Sequence, residues 1–251
     1  MNAQPADRRG IQSIEVGGAL LRALAHHGRP LALKDLAALA GMAPAKAHPY
    51  LVSFGKLGLI EQDAASGRYG LGPLAMQLGL ISLQALNPLA LATPVIERLA
   101  VACAHTVAIG VWGDRGATIV RVAEAPSPVH VSMRHGTVMS LTRTASGRLF
   151  AAWLPKAQTR ALLRREKPEA GFDAVLDAVR AEGYAHVEDV LLPGISALAA
   201  PVFDGAGALV LSLTAIGPTP VFDARPGSAL SVAVCDAARE LSQRLGFRSP
   251  A

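Results

Sequence analysis

The chain has 251 residues, of which 51% are hydrophobic, 17% charged and 4% aromatic. That length suits two domains of roughly 100 to 150 residues or one large one, and the composition excludes low-complexity disorder. A net charge of +5 permits an anionic partner without identifying one. The two cysteines, Cys103 and Cys235, are too few and too far apart for a disulfide framework or a zinc cluster, which favours a reducing cytosol and implies no cofactor.

Residues 1–10 lack the apolar run of a signal peptide and read as a flexible arm carrying Arg8 and Arg9, so export is not expected and a cytoplasmic location is. From Ile11 to His27, the residues Ile14, Gly17, Leu21, Leu24 and Ala25 share one helical face, and Gly28 with Pro30 stops the helix. A short second helix over Leu33–Ala40 lacks a capping side chain at its start. A third opens at Ala43 and Pro44, with Ala47, Tyr50, Leu51 and Phe54 at core spacing. Its outward positions are Ala45, Lys46, His48, Pro49, Val52, Ser53 and Lys56, which bring two lysines and no carboxylate. Pro49 stands at an interior position that costs about 3 kcal/mol, and a local bend is predicted there. In LGLIEQDAASGRYGLG two extended runs flank Asp63–Gly67, predicting a hairpin with Arg68 near its tip. Three helices and a basic hairpin over 11–72 make a winged helix-turn-helix.

Residues 73–87 form a linking helix that is apolar nearly all round, with Leu74, Leu78, Ile81 and Ala85 on one stripe and Met76, Leu80 and Leu83 on another. Such a helix needs cover from another domain or a second copy of the chain. The uncharged stretch Tyr69–Ile96 is broken by Gln77, Gln84, Asn87 and Pro88, leaving less than the roughly 20 apolar residues of a membrane span. A helix from Pro88 to Ala104 leads into alternating runs at His105–Trp112, Ala117–Glu124 and His130–His135, which predict a three-stranded meander. Helices follow at Thr144–Trp153, Pro155–Glu166 and Phe172–Glu182. Strands return at Ile195–Phe203 and Ala208–Ile216, and a last helix runs from Ser228 to Leu245. Residues 88–247 thus read as an α+β domain with a mostly antiparallel sheet.

Residues 1–86 hold eight Lys and Arg against five Asp and Glu. A basic face on the second helix of a helix-turn-helix is what phosphate contacts and groove insertion require, and Lys46 and His48 are in reach of both. Enzymatic signals fail on context. Gly70-Leu-Gly72-Pro-Leu-Ala75 with Glu97 imitates a dinucleotide fingerprint, but no βαβ unit surrounds it. Ser53-Phe-Gly-Lys56 lacks the companion motifs of penicillin-recognising enzymes. The histidines have no metal-ligand spacing.

The runs GIQSIEVGGALLRALAHH, LKDLAALAGMAPAKAHPYLVSFGKLGLIEQ and GRYGLGPLAMQLG resemble the DNA-binding domain of the isocitrate lyase regulator (IclR) family of bacterial transcription factors. TRTASGRLFAAWLP, the helix ending AEGYA and PGISALAAPVFDGAGALVLSLTAIGP resemble its effector-binding domain, so the likeness spans about Gly10 to Gly246. The resemblance implies a GAF-like effector domain, dimers or dimers of dimers, double-stranded operator DNA, and ligand-controlled repression or activation. Many members carry Ser-Thr-Val-His-Arg in the recognition helix, where this chain has Ala45, Lys46, Ala47, His48 and Pro49, so the operator sequence does not carry over. The DNA-contacting set is expected to be Ala45, Lys46, His48, Pro49, Ser53 and Lys56, with Arg68 from the wing and Arg8 and Arg9 from the arm.

The same resemblance places the effector between the sheet and the helix opening at Thr144, Ala145, Ser146 and Gly147, a helix start that favours an anion. Leu141 belongs to that pocket, Ser146 and Thr214 are its candidate hydroxyls, and Val187, Ala197 and Ile216 stand where some members place polar contacts. A small organic acid with an aromatic or otherwise apolar body is the expected effector. Two other readings stay open: a GAF-like small-molecule enzyme or sensor with a vestigial DNA-binding domain, and an architectural DNA-binding protein without an effector.

Overall fold

A computed structural model of the chain describes residues 10–85, 87–125, 131 and 133–248. Arg8, Arg9 and most of the predicted arm lie outside the described residues. The chain divides into two compact units at Leu86–Asn87.

In the first unit, α1 (Gln12–His27), α2 (Leu33–Leu39) and α3 (Pro44–Lys56) precede a hairpin of β1 (Ile60–Gln62) and β2 (Tyr69–Leu71), and α4 (Pro73–Ala85) follows. Leu20, Ala23, Leu24, Leu36, Ala37, Ala47, Leu51, Ile60 and Tyr69 form its core. The α1 face differs from the predicted one. Gly17, Leu20, Ala23 and Leu24 point inward, while Ile14 is 68% exposed, because the spacing of α1 is compatible with two neighbouring faces and packing selects one. The hairpin pairs Ile60 with Leu71 and Gln62 with Tyr69. Gly72, which lent the chain its false nucleotide motif, has a packing role: a Cβ there would overlap the Gly58 carbonyl.

The second unit opens with α5 (Pro88–Cys103), whose Asn87 side chain caps Ala90 N. It continues through β3 (Thr106–Gly113), β4 (Gly116–Ala123), α6 (Ala145–Trp153), α7 (Lys156–Glu166), α8 (Phe172–Glu182), β5 (Ala185–Glu188), β6 (Ile195–Phe203), β7 (Leu209–Pro218) and α9 (Ala229–Arg244). The five strands form one antiparallel sheet in the order β4-β3-β7-β6-β5. Successive side chains along a strand face opposite sides. Ala185, Val187 and Ala199 join the core under α6 and α8, and α5 and α9 pack together against the other face.

Two predicted features of this sheet change. Residues 130 and 132 lie outside the described residues, and Val131 and Met133 belong to no strand. The segment that lines the β4 edge is instead Gly136–Met139, through Gly136 N to Ile119 O, Ile119 N to Thr137 O and Met139 N to Ala117 O. The meander therefore stops at two strands, and β3 takes β7 as its second neighbour. Strand β5, absent from the sequence reading, is only four residues long with alternating burial.

Candidate DNA-binding face and effector site

Helix α3 begins with Pro44 in its first turn, where a missing N–H costs nothing. Ala47 and Leu51 are buried, which turns Ala45, Lys46, His48, Pro49, Ser53 and Lys56 to the exterior. The six α3 positions expected on DNA thus share one exposed face. The helix runs through Pro49 as a single element. Pro49 has no N–H for the Ala45 carbonyl, and Ser53 Oγ donates to the Pro49 carbonyl at 3.0 Å.

The wing is held by its turn. Asp63 Oδ1 accepts from Ser66 N and Ser66 Oγ, each at 2.7 Å, and those donors hold its carboxyl below the ordinary aspartate range. Arg68 is exposed at the base of this turn, and its Nη1 donates to the Pro30 carbonyl at 3.5 Å. Helix α4 leaves Met76, Leu78, Leu80 and Ile81 each about half or more exposed. Ile11 and Ile14 are exposed as well.

In the second unit the turn Leu141–Thr144 leads into α6. Thr144 Oγ1 accepts from Gly147 N at 3.0 Å and donates to the Ser140 carbonyl at 2.7 Å. Gly147 lies so close to this turn that a Cβ would overlap the Ser140 carbonyl. Leu141, Thr144, Ala145, Ser146 and Gly147 are all buried. Backbone N–H groups of a first helical turn have no intrahelical acceptor. The cap takes Gly147 N and leaves those of Ala145 and Ser146 for other acceptors.

Facing this turn, the sheet sets Val187, Ala197, Ile216 and Thr106 in one cross-strand row. The next row is Ala185, Ala199, Thr214 and Ala108. Ser146 Oγ and Thr214 Oγ1 lie 2.8 Å apart, joining α6 to this second row. The two hydroxyls expected to be free for a ligand are therefore hydrogen-bonded to each other. Leu141, Ala145 and Val187 belong to the hydrophobic core, with Ala197 packed against it.

One residue that positions this turn escaped the sequence reading. Glu166, at the end of α7, accepts from Leu141 N at 2.9 Å through Oε1, and from Ser140 Oγ at 2.6 Å, Thr142 Oγ1 at 2.8 Å and Thr142 N at 3.1 Å through Oε2. Partial burial opposes its ionisation, but the four donors outweigh that and hold its carboxyl below the ordinary glutamate value. The available signal was compositional: Glu166 is the one carboxylate in KAQTRALLRREK. The turn is also tied by Arg148 Nε to the Thr142 carbonyl at 2.8 Å, and by Arg143 Nη2 to the carbonyls of Val190 and Leu191 at 3.0 and 3.3 Å.

Among the described residues no group of His, Cys, Asp and Glu has the arrangement of a metal site, and no helix is long and apolar enough to cross a membrane. Cys103 and Cys235 are half-buried free thiols, and burial raises the pKa of each.

Comparison with known proteins agrees with both halves of this geometry. The IclR helix-turn-helix domain model matches residues 13–64, and the model described as the C-terminal of the bacterial transcriptional regulator IclR matches residues 81–243. The glycerol operon regulatory protein of Streptomyces coelicolor is 34% identical, over 95% of this chain and 98% of its own length. The HTH-type transcriptional regulator BhcR of Paracoccus denitrificans is 29% identical over 88% and 83%. The crystal structure of Pseudomonas aeruginosa HmgR superposes with a TM-score of 0.90 at 33% identity, covering 96% of this chain and all of that one. With an exposed α3 face beside a wing in its first unit and a sheet-and-helix second unit, the chain belongs to the IclR family of DNA-binding transcriptional regulators.

Proposed function

We propose that the chain is a ligand-responsive regulator that acts in the cytoplasm as a dimer, or a pair of dimers, on a near-palindromic operator. The reading rests above all on the exposed face of α3, which carries Lys46, His48, Ser53 and Lys56 with no carboxylate among its outward positions. Inserted in a major groove, that face brings Lys46 and His48 to base edges or phosphates and Ser53 and Lys56 to the flanking backbone, with Ala45 and Pro49 in apolar contact. Arg68 meets the backbone or the minor groove from the wing, and Arg8 and Arg9 extend the contact as an arm. The exposed apolar side chains of α4, with Ile11 and Ile14, are the surface that a second copy covers.

The effector lies between the α6 turn and the sheet, its carboxylate at the Ala145 and Ser146 N–H groups. In the facing row the side chains of Val187, Ala197 and Ile216 offer it no hydrogen bond and Thr106 Oγ1 donates to the Val131 carbonyl, which supports an acid with an aromatic or otherwise apolar body over a polyol or a very small acid. Ligand in this position competes with the Ser146–Thr214 bond, and the resulting shift of α6 biases the spacing of the two recognition helices.

Fluorescence anisotropy with the protein's own upstream intergenic DNA tests this, against a scrambled duplex, over a salt series and with aliphatic and aromatic acids. The expected result is specific binding with Kd in the range of roughly 10⁻⁸ to 10⁻¹¹ M, steeply salt-dependent and altered by an apolar acid. Equal affinity for the scrambled duplex, carried through to genome-wide selection without any enriched site, would refute it.

A further inference from the structure

Away from the α6 turn, α7 and α8 border a cleft of about 610 Å³. Its floor is apolar, from Ala151, Leu163 and the buried Leu176, and the almost fully buried Thr159 adds a hydroxyl-bearing side chain. On the α7 wall stand Lys156, Arg160 and Arg164, each four residues from the next. Side chains at that spacing lie about 5–6 Å apart on one line, and like charges there repel. Among the described residues none of the three makes an ion pair. The α8 wall carries Asp173, Asp177 and Arg180. Arg180 is fixed by Nε to the Ala152 carbonyl at 2.8 Å and neutralises Asp177 through Nη1 at 2.6 Å. Among the described residues that line the cleft, Asp173 is then the one carboxylate without an ion-pair partner, facing three such cations.

We infer that the α7–α8 cleft is a second small-molecule site, distinct from the α6 turn, for an anion with an apolar body. A volume of this size suits one small molecule, since ligand pockets run from about 300 to 1,000 Å³. The apolar floor takes the body of the ligand and the cationic stripe its charged group, which relieves the repulsion along α7. A bare inorganic anion would gain nothing from Leu163 and Leu176, and a neutral apolar molecule nothing from the stripe. The inference stands independently of any effector at α6.

Titration of the full-length protein with anilinonaphthalene sulfonate, an apolar ring system with one anionic group, tests the site by fluorescence. The variants are Arg160→Glu/Arg164→Glu and a control with the same change of charge on exposed arginines elsewhere, Arg98→Glu/Arg244→Glu. The site is expected to weaken by about tenfold or more in the first variant and to keep wild-type affinity in the second. Should the double reversal lose wild-type circular dichroism, Arg160→Gln/Arg164→Gln takes its place with the same expectation. Equal probe binding in all variants overturns the proposal. So does tighter binding of an acidic helical peptide than of the probe, lost with the same arginines, which would make the cleft a protein-docking groove.

Discussion

Helices α3 and α6 both begin at a turn and both carry candidate contact residues, but α3 turns six of them to the exterior while the first turn of α6 is buried. A surface that meets a partner outside the chain needs only its own helix to orient it, so its chemistry is written in local spacing. The α6 turn is held from a distance, by Glu166 on α7 and Thr214 on β7. Its geometry is a property of the tertiary structure, and substitutions there should be felt as stability before they are felt as affinity.

The largest expected effect follows from Gly147. Because any Cβ at this position overlaps the Ser140 carbonyl, Gly147→Ala forces the α6 turn apart and should destabilise the second unit by about 3 kcal/mol. Urea unfolding of purified variant and wild type measures this. A wild-type midpoint would mean that the turn moves freely and that the contrast between the two helices is overstated.

Next comes Glu166→Gln, which replaces two acceptor oxygens by one and turns an amide donor toward the donors of Ser140 and Thr142. A loss of about 1–2 kcal/mol is expected near neutral pH. The carboxyl is held below its ordinary value of about 4.5, so the clamp's contribution is complete above that pH and disappears as pH falls through the lower folded-state value. Melting curves of both proteins from neutral pH to pH 3 should therefore converge on acidification. A constant gap would place the role of Glu166 outside its charge.

How much of this was legible in the sequence divides along the same line. The exposed face of α3, its buried Ala47 and Leu51, and the Asp63–Gly67 turn follow from spacing and turn chemistry over a few residues. Where the reading failed, the deciding contact was remote. Alternation at His130–His135 is as good a strand pattern as that of Gly136–Met139, and only the register against β4 chooses between them. Strand β5 is short, and β6 alone supplies its pairing partner. Ile14 fits a helical core face, yet the core lies against the neighbouring face of α1. Glu166 meets its donors across 24 to 26 residues, a distance at which no local motif operates.

A smaller effect separates the hydroxyl pair from its surroundings. Ser146→Ala leaves the Thr214 hydroxyl buried without its partner, at a cost of about 1–2 kcal/mol. Thr214→Val should cost a similar amount. The double variant should cost less than the sum, because it removes donor and acceptor together. Additive losses in a double-mutant cycle would show that each hydroxyl is satisfied elsewhere and that the link between α6 and β7 carries no energy of its own.

The smallest effect belongs to the exposed helix, and its form matters more than its size. Lys46 lies on the surface of α3, so Lys46→Ala should leave the thermal midpoint within error of wild type. On DNA the same change should weaken binding severalfold, roughly 0.5–1 kcal/mol. Two roles then separate by salt dependence. A phosphate contact predicts an equal loss on operator and scrambled duplex and a salt slope shallower by about 1. A base contact predicts a loss confined to the operator with the slope nearly unchanged, because no counterion release is forfeited. Unchanged affinity at every salt concentration would remove Lys46 from the interface and move the reading surface toward His48 and the C-terminal half of α3.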